Sequence, residues 1–166
     1  MKQMDVKRER TLGGNKYFVR PFGAFTSARL GGDVMHFVMP FIGSFATLAK
    51  GTRSTDSLLD VDIASVIPNL TNSISGDKLE SILKKLLVSH NNISVEIEGE
   101  AMAKPLTEDL ANELFCGETQ DMFILAWEVV AANFGGFFGK LAGPSGKLNL
   151  EKILEMAEAS FKNMGN

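Results

Sequence analysis

The sequence predicts an α+β fold that is mainly helical, in which an N-terminal β-hairpin and a second short hairpin near residues 93–104 pack with a bundle of about five or six helices. Apolar residues recur at steps of three and four over several long segments, which indicates amphipathic helices. Two short segments instead alternate apolar and polar residues beside glycines, which indicates hairpins. Hydrophobic residues make up 45% of the 166, enough to build a core.

The N-terminal hairpin is predicted from strand-forming residues on both sides of Gly13-Gly14-Asn15, with strands over 6–12 and 16–20. Tyr17 and Val19 share one face of the second strand. Because neither a repeat nor a long linker interrupts the sequence, we expect a single domain over 1–166. This hairpin would form an arm (1–21) on a helical body (22–166).

Three helical segments are predicted next. The first has an apolar stripe over 34–48 that Pro40 should kink, and the second has a weaker stripe over 63–74. The third begins with Asp77 as the expected N-cap residue. It directs a set of aliphatic side chains towards the core: Leu79, Ile82, Leu83, Leu86 and Leu87.

The second hairpin starts with alternating residues at Ile93, Val95 and Ile97 and turns at Gly99. Its return strand, expected over 101–104, is poor in residues that favour strands. Thr107 is then placed to cap a short helix whose first turn is acidic.

The long segment Thr119–Leu141 is predicted to be a helix that is apolar on two sides. One face carries Phe123, Trp127, Val130, Phe134, Phe137, Phe138 and Leu141, and much of the opposite face carries Met122, Leu125, Val129 and Ala132. Such a helix must be buried on both sides, either centrally in its own domain or between that domain and a partner. A last helix is expected after Asn149, which would serve as its cap.

Several kinds of chemistry are excluded by counting or by missing parts. One cysteine, Cys116, cannot form an internal disulfide or a Cys/His zinc site, and we expect it to be a buried, inert thiol. The string Gly143–Lys147 lacks the glycine and hydroxyl residue of a phosphate-binding loop. We therefore expect no catalytic residues, no cofactor and no metal site.

The charge distribution favours a protein partner over nucleic acid. A formal net charge of -3 argues against nonspecific binding to phosphates. Residues 1–29, however, contain seven basic and two acidic residues. This segment therefore has a net charge of +5, and the rest of the chain has a net charge of -8. A basic arm on an acidic body suits an acidic partner surface or a second copy of the chain, but the simpler explanation is a solvated hairpin face.

No stretch of the sequence is long and apolar enough to span a membrane, and its first ten residues are charged where a secretory signal would be apolar. We therefore expect a cytoplasmic location.

Two glycines, Gly135-Gly136, precede Phe137 and Phe138 and would permit bending or close approach at an adaptable contact site.

Two stretches carry a family resemblance: GNKYFVRPFGAF at 14–25 and DMFILAWEVV at 121–130, the second followed by Asn133-Phe134 and Phe137-Phe138. Together they resemble the tail assembly chaperones of tailed bacteriophages. The resemblance implies a binding protein without catalytic residues that coats the long, apolar tape measure protein until the tail tube encloses it. Five residues match the recurring pattern and are candidates for core or client surface: Phe123, Trp127, Asn133, Phe134 and Phe138.

The resemblance also implies partners and a location. The tape measure protein is the expected client, and the tail tube protein is a further candidate. Self-association is expected from the residues themselves, because Thr119–Leu141 is apolar on two sides and a basic arm joins an acidic body. The protein would act in the host cytoplasm and be absent from the mature virion. Eight methionines and twelve phenylalanines would supply adaptable contact area. A structural tail or baseplate component, a small adaptor and an enzyme remain alternatives.

Overall fold

The computed structural model describes residues 8–35 and 75–141, with side chains as far as residue 136. In these ranges four strands and four helices follow one another: β1 (Arg8–Leu12), β2 (Asn15–Val19), α1 (24–35), α2 (Gly76–Leu87), β3 (Ile93–Glu96), β4 (Lys104–Pro105), α3 (Glu108–Leu114) and α4 (Thr119–Leu141). The α+β class with more helix than strand is confirmed. A bundle of five or six helices is not, since the described ranges hold four.

Some predicted features lie outside the described residues. They are the kink at Pro40 with most of the 34–48 stripe, the helix over 63–74, the phosphate-loop-like string and the helix after Asn149.

The first hairpin forms around two glycines, as predicted. Leu12 pairs with Asn15, so Gly13 and Gly14 alone make the turn, with φ of 54° and 80°. Positive φ at both central residues of a two-residue turn suits the right-handed twist of the strands, and glycine adopts it without steric cost. Tyr17 is buried on the inner face of β2.

The two hairpins form one antiparallel sheet in the order β1-β2-β3-β4. Val19 pairs with Ile93 and Tyr17 with Val95, and the backbone N–H of Arg20 donates to the carbonyl of Asn92 at 2.8 Å. The first hairpin, predicted as an arm, is thus half of the sheet.

The second hairpin is present near 93–104, but its return strand starts later than predicted. Gly99, at φ 85°, lies in a turn closed by the bond from Glu100 N to Ile97 O, and β4 begins only at Lys104. The next residue after β4, Leu106, is fully buried and donates its N–H to Ile93 O at 3.0 Å. Burial of this leucine fixes the register of the later pairing, whereas Met102, the large apolar residue just after the turn, is 79% exposed.

Helix α2 begins one residue before the predicted capping residue. Gly76 is its first residue and Ser75 precedes it without a side-chain capping bond, so the prediction of Asp77 as N-cap was wrong. Asp77 instead lies in the first turn, where a negative charge stabilises the helix N-terminus. The predicted inward face is confirmed, with Leu79 partly buried and the other four residues buried.

Helix α3 is capped as predicted, since the Thr107 hydroxyl accepts a bond from Leu110 N at 3.3 Å. The core lies between one face of the sheet and helices α2 and α4. It includes the inward residues of β2 and β3, which alternate with half-buried or exposed residues on the opposite face. The position of α4 against both the sheet and α2 explains why so much of this helix is buried.

Candidate functional site

The middle of helix α4 is buried, and among the residues whose side chains are described its exposure rises from Asn133 to Gly136. Phe123 and every residue from 125 to 132 are buried, and Asn133 to Gly135 are half-buried. Gly136 is exposed. The predicted burial on two sides is therefore observed, and the sheet and α2 of the same chain provide it.

The six candidate residues divide between this buried part and the helix end. Phe123 and Trp127 are 4% and 6% exposed, so the core alternative holds for both. Phe134 is half-buried and packs against the core. Phe137 and Phe138 lie beyond Gly136 on the last turns of α4, where the structure describes a helical backbone.

Asn133 joins α4 to the chain that follows the first hairpin. Its side-chain oxygen accepts the backbone N–H of Phe22 at 2.6 Å, and its amide nitrogen donates to Val129 O at 2.8 Å. Phe22 is buried, and its ring meets the edge of His90 with 5.4 Å between centroids. A buried N–H needs an acceptor, so Asn133 fixes the contact between the two stretches that carry the family resemblance.

A buried carboxylate on α4 binds the first strand. Glu128 is 7% exposed, and its two oxygens lie 2.6 Å from Nε of Arg8 and 3.6 Å from Nη1 of Arg10. A buried carboxylate is tolerated only with a charged or hydrogen-bonding partner. Arg8 supplies the short contact, and Arg10 remains half exposed at the longer distance.

An open groove of about 480 Å³ runs between β1 and α4. Four charged residues line it, which we call its walls (Arg8, Glu9, Arg10 and Glu128), together with four small residues of α4, which we call its floor (Ala131, Ala132, Gly135 and Gly136). The floor residues carry at most one side-chain carbon, so the groove follows from the sequence of α4. It lies next to the point where α4 leaves the core.

The charges around this groove do not all balance within it. Glu9 binds Lys16 at 2.8 Å, and this hydrogen bond raises the pKa of Lys16. Glu128 is shared by Arg8 and Arg10. Once the Glu9–Lys16 pair is set aside, two guanidinium groups remain with one carboxylate.

Cys116 is exposed, so the prediction of a buried thiol was wrong. The neighbouring Phe115 takes the buried position instead and stacks on Tyr17 with 5.8 Å between ring centroids. Gly117, at φ 81°, then turns the chain towards α4. A local pattern of small and apolar residues could not show which of two adjacent side chains faces the core.

His90, the residue nearest in sequence that could serve as a base for Cys116, contacts Phe22 instead. Burial lowers the pKa of His90, and the charge of Arg29 adds to this effect. Within the described ranges, no group of three or more His, Cys, Asp or Glu side chains is arranged to hold a metal ion. No helix in that part of the chain is long and apolar enough to cross a membrane.

Sequence reasoning missed the groove and the ion pairs across it. In the sequence, Glu128 is a charge that interrupts the apolar segment Thr119–Leu141. A single carboxylate inside an apolar stripe is itself a signal, because it requires a cation from elsewhere in the fold. The surplus of basic residues in the first hairpin was the complementary signal.

These residues describe a small α+β protein in which a long helix leaves the core beside an open, charged groove. A family model described as phage tail assembly chaperone protein matches residues 13–146. The match covers most of the chain, which therefore belongs to the phage tail assembly chaperone family, as the resemblance of its two stretches predicted. Neither the curated proteins nor the solved structures gave a significant match.

Proposed function

We propose that this tail assembly chaperone binds the apolar helical tape measure protein and keeps it soluble until the tail tube encloses it. Membership of the family supports the role in tail assembly. We choose the C-terminal end of α4 as the client-binding region because burial falls along this helix. Residues 125–132 are buried, whereas Gly136 is exposed.

The end of α4 has the chemistry that an apolar client requires. Beyond Gly136 the helix carries Phe137, Phe138 and Leu141 in its last turns. Each glycine of the preceding pair lowers helix stability by roughly 1 kcal/mol relative to alanine, which permits the last turns to adjust to different client surfaces. Apolar side chains presented from one helix suit a client helix with an apolar face of its own.

Coating a long client also requires many copies, so we propose that the chaperone self-associates on the tape measure protein. The tail tube protein is a second proposed partner, because it must displace the chaperone as the tube forms. Binding alone is sufficient for this role and no chemical step is needed. The proposed place of action is the host cytoplasm, and the chaperone would leave before the virion is complete.

The test is co-expression of the full chain with a tape measure fragment, with the soluble fraction of the fragment as the measurement. The Phe137→Ser and Phe138→Ser variants should lower that fraction while their melting temperatures stay near that of the parent. Phe25→Ser is a matched control, since Phe25 on α1 is 93% exposed and the substitution is the same. This control should keep the fragment soluble.

Two results would count against the proposal. If the parent chain leaves the fragment as insoluble as it is alone, the tape measure protein is not the client. If Phe137→Ser and Phe138→Ser both unfold as readily as Trp127→Ala, the end of α4 is core and the client region lies elsewhere. Mass spectrometry of purified virions is a separate check, because a permanent tail component would be present in them.

A further inference from the structure

We propose that the groove between β1 and α4 receives an acidic side chain of the client helix, so that the chaperone selects apolar helices that carry an isolated carboxylate. This inference rests on the proposed function and adds a charge preference to it. It is argued from the charges of the groove walls, the shape of the floor and the position beside the end of α4.

The walls of the groove leave donor capacity on one arginine. Glu128 takes its short contact from Nε of Arg8, and the contact from Arg10 is 3.6 Å. A guanidinium has five N–H donors, and the side chain of Arg10 is 50% exposed. Within the described ranges, a second carboxylate entering the groove would therefore find a cation whose hydrogen bonds are not used up.

The spare charge amounts to one. Glu9, the other acidic wall residue, is already bound to Lys16 at 2.8 Å. Among the lining residues that the structure describes, Arg8 and Arg10 together then exceed Glu128 by a single positive charge. A single Asp or Glu would neutralise this excess, whereas a polyanion such as nucleic acid would also meet the carboxylates of Glu9 and Glu128. One acidic residue on an otherwise apolar segment is the occupant that fits.

The floor permits a helix to come close. It consists of two alanines and two glycines, and a Cβ atom built on Gly136 would meet nothing within 4 Å. Small residues at a contact let two helix axes approach to the lower end of the usual 8–10 Å range. A client helix lying there would bring its backbone near α4 and its acidic side chain within reach of Arg10.

The groove is also continuous with the proposed apolar client region. Gly135 and Gly136 form part of its floor, and Phe137 and Phe138 follow them directly along α4. One client helix could thus place its apolar face against the helix end and its carboxylate in the groove. Apolar contacts would provide most of the affinity, and the charge would choose among helices and fix their position.

The experiment uses two synthetic helical peptides with the same apolar face, one with Glu and the other with Gln at one central position. Binding of each to the full chain is measured by fluorescence anisotropy at low and at moderate salt. We expect the Glu peptide to bind on the order of five-fold more tightly at low salt, which corresponds to about 1 kcal/mol, and the preference to shrink as salt rises.

Two variants test the groove itself. Arg10→Gln should abolish the preference for the Glu peptide, and Lys78→Gln, which removes a positive charge from the exposed start of α2, should preserve it. Gly136→Leu should weaken the binding of both peptides, because the leucine side chain would fill the floor of the groove. Leucine is a better helix former than glycine, so this substitution should not unfold α4.

The outcomes separate this inference from the proposed function. If the parent chain binds both peptides equally, or if Arg10→Gln keeps the preference, the charge preference is overturned while client binding stands. If Gly136→Leu binds both peptides as the parent does, the groove is not the contact. If neither peptide binds and the tape measure fragment stays insoluble, both proposals fail. A change in assembly size on Arg10→Gln, with the preference kept, would assign the groove to a second copy of the chain instead.

Discussion

Glu128 and Arg8 form an ion pair of 2.6 Å in which the carboxylate is far more buried than the guanidinium, with side-chain exposures of 9% and 27%. The pair connects the middle of the long helix α4 to the edge strand β1. Because the two side chains differ in burial, removing one should cost a different free energy of unfolding from removing the other. Single substitutions of each residue measure this difference.

We predict that Arg8→Ala destabilises the protein more than Glu128→Ala does. Loss of Arg8 leaves a buried carboxylate with only the long contact to Arg10, which should cost about 3 kcal/mol. Loss of Glu128 leaves an arginine that water can reach. Urea denaturation of the two variants gives the comparison, with Lys16→Ala as a control because both members of the Lys16–Glu9 pair are exposed. Equal losses for the two variants would contradict the predicted asymmetry.

Trp127→Ala should lower the free energy of unfolding by roughly 3 to 5 kcal/mol, the usual cost of removing a large buried aromatic side chain. Trp127 is 6% exposed and belongs to the core between α4 and its neighbours. Thermal or urea unfolding, followed by circular dichroism because the variant lacks the tryptophan, measures the effect. A loss below about 1 kcal/mol would show that the ring contributes little to the core.

Asn133→Ala should expose the backbone amide of Phe22 to hydrogen exchange. This amide donates to the Asn133 side chain at 2.6 Å, and no other backbone acceptor takes it among the bonds of the described chain. An unsatisfied buried donor costs about 1–3 kcal/mol, so global stability should fall as well. Asn133→Asp keeps the acceptor and should retain most of the protection at Phe22. Unchanged exchange at Phe22 in Asn133→Ala would mean that the hydrogen bond is absent in solution.

Stability should fall between about pH 10 and pH 12 because of Tyr17, the single tyrosine of the chain. Burial, with a smaller effect of the Asp121 charge, raises the pKa of Tyr17 to about 12. In the unfolded chain the phenol ionises near pH 10, so its contribution is complete below that pH and is lost as pH rises through the folded pKa.

Ultraviolet titration of the phenolate reports this ionisation directly, because no second tyrosine contributes. The comparison for stability is Tyr17→Phe, which should lose less stability than the parent over the same pH range. Lysines that titrate there affect both proteins equally. A phenolate that forms near pH 10 in the folded protein would contradict the burial of Tyr17.

The features that the sequence predicted correctly are those decided by neighbouring residues. The Gly13-Gly14 turn, the cap at Thr107 and the limits of Thr119–Leu141 all depend on short-range patterns, and all three agree with the structure. The Asp77 cap failed because the helix begins at Gly76, two positions earlier than a cap at Asp77 would place its start, and only the backbone geometry decides the starting residue.

The features that the sequence did not predict depend on pairs of residues far apart in the chain. Asn133 is separated from Phe22 by 111 positions and Glu128 from Arg8 by 120, so no local pattern joins the members of either pair. Each side chain alone is compatible with many partners. The candidate aromatic residues were predicted as core or client surface, and only the packing of α4 against the sheet placed Phe123 and Trp127 in the core.

The pairing of Val19 with Ile93 has a consequence for how the protein is made. The first hairpin leaves the ribosome before β3, which is synthesised only after all of the residues between them. A two-stranded hairpin is marginally stable on its own, and closing so long a segment adds an entropic cost before the sheet gains any contacts. During translation one edge of β2 therefore stays unpaired until β3 is made, and an unpaired strand edge on a nascent chain is a site at which aggregation can begin.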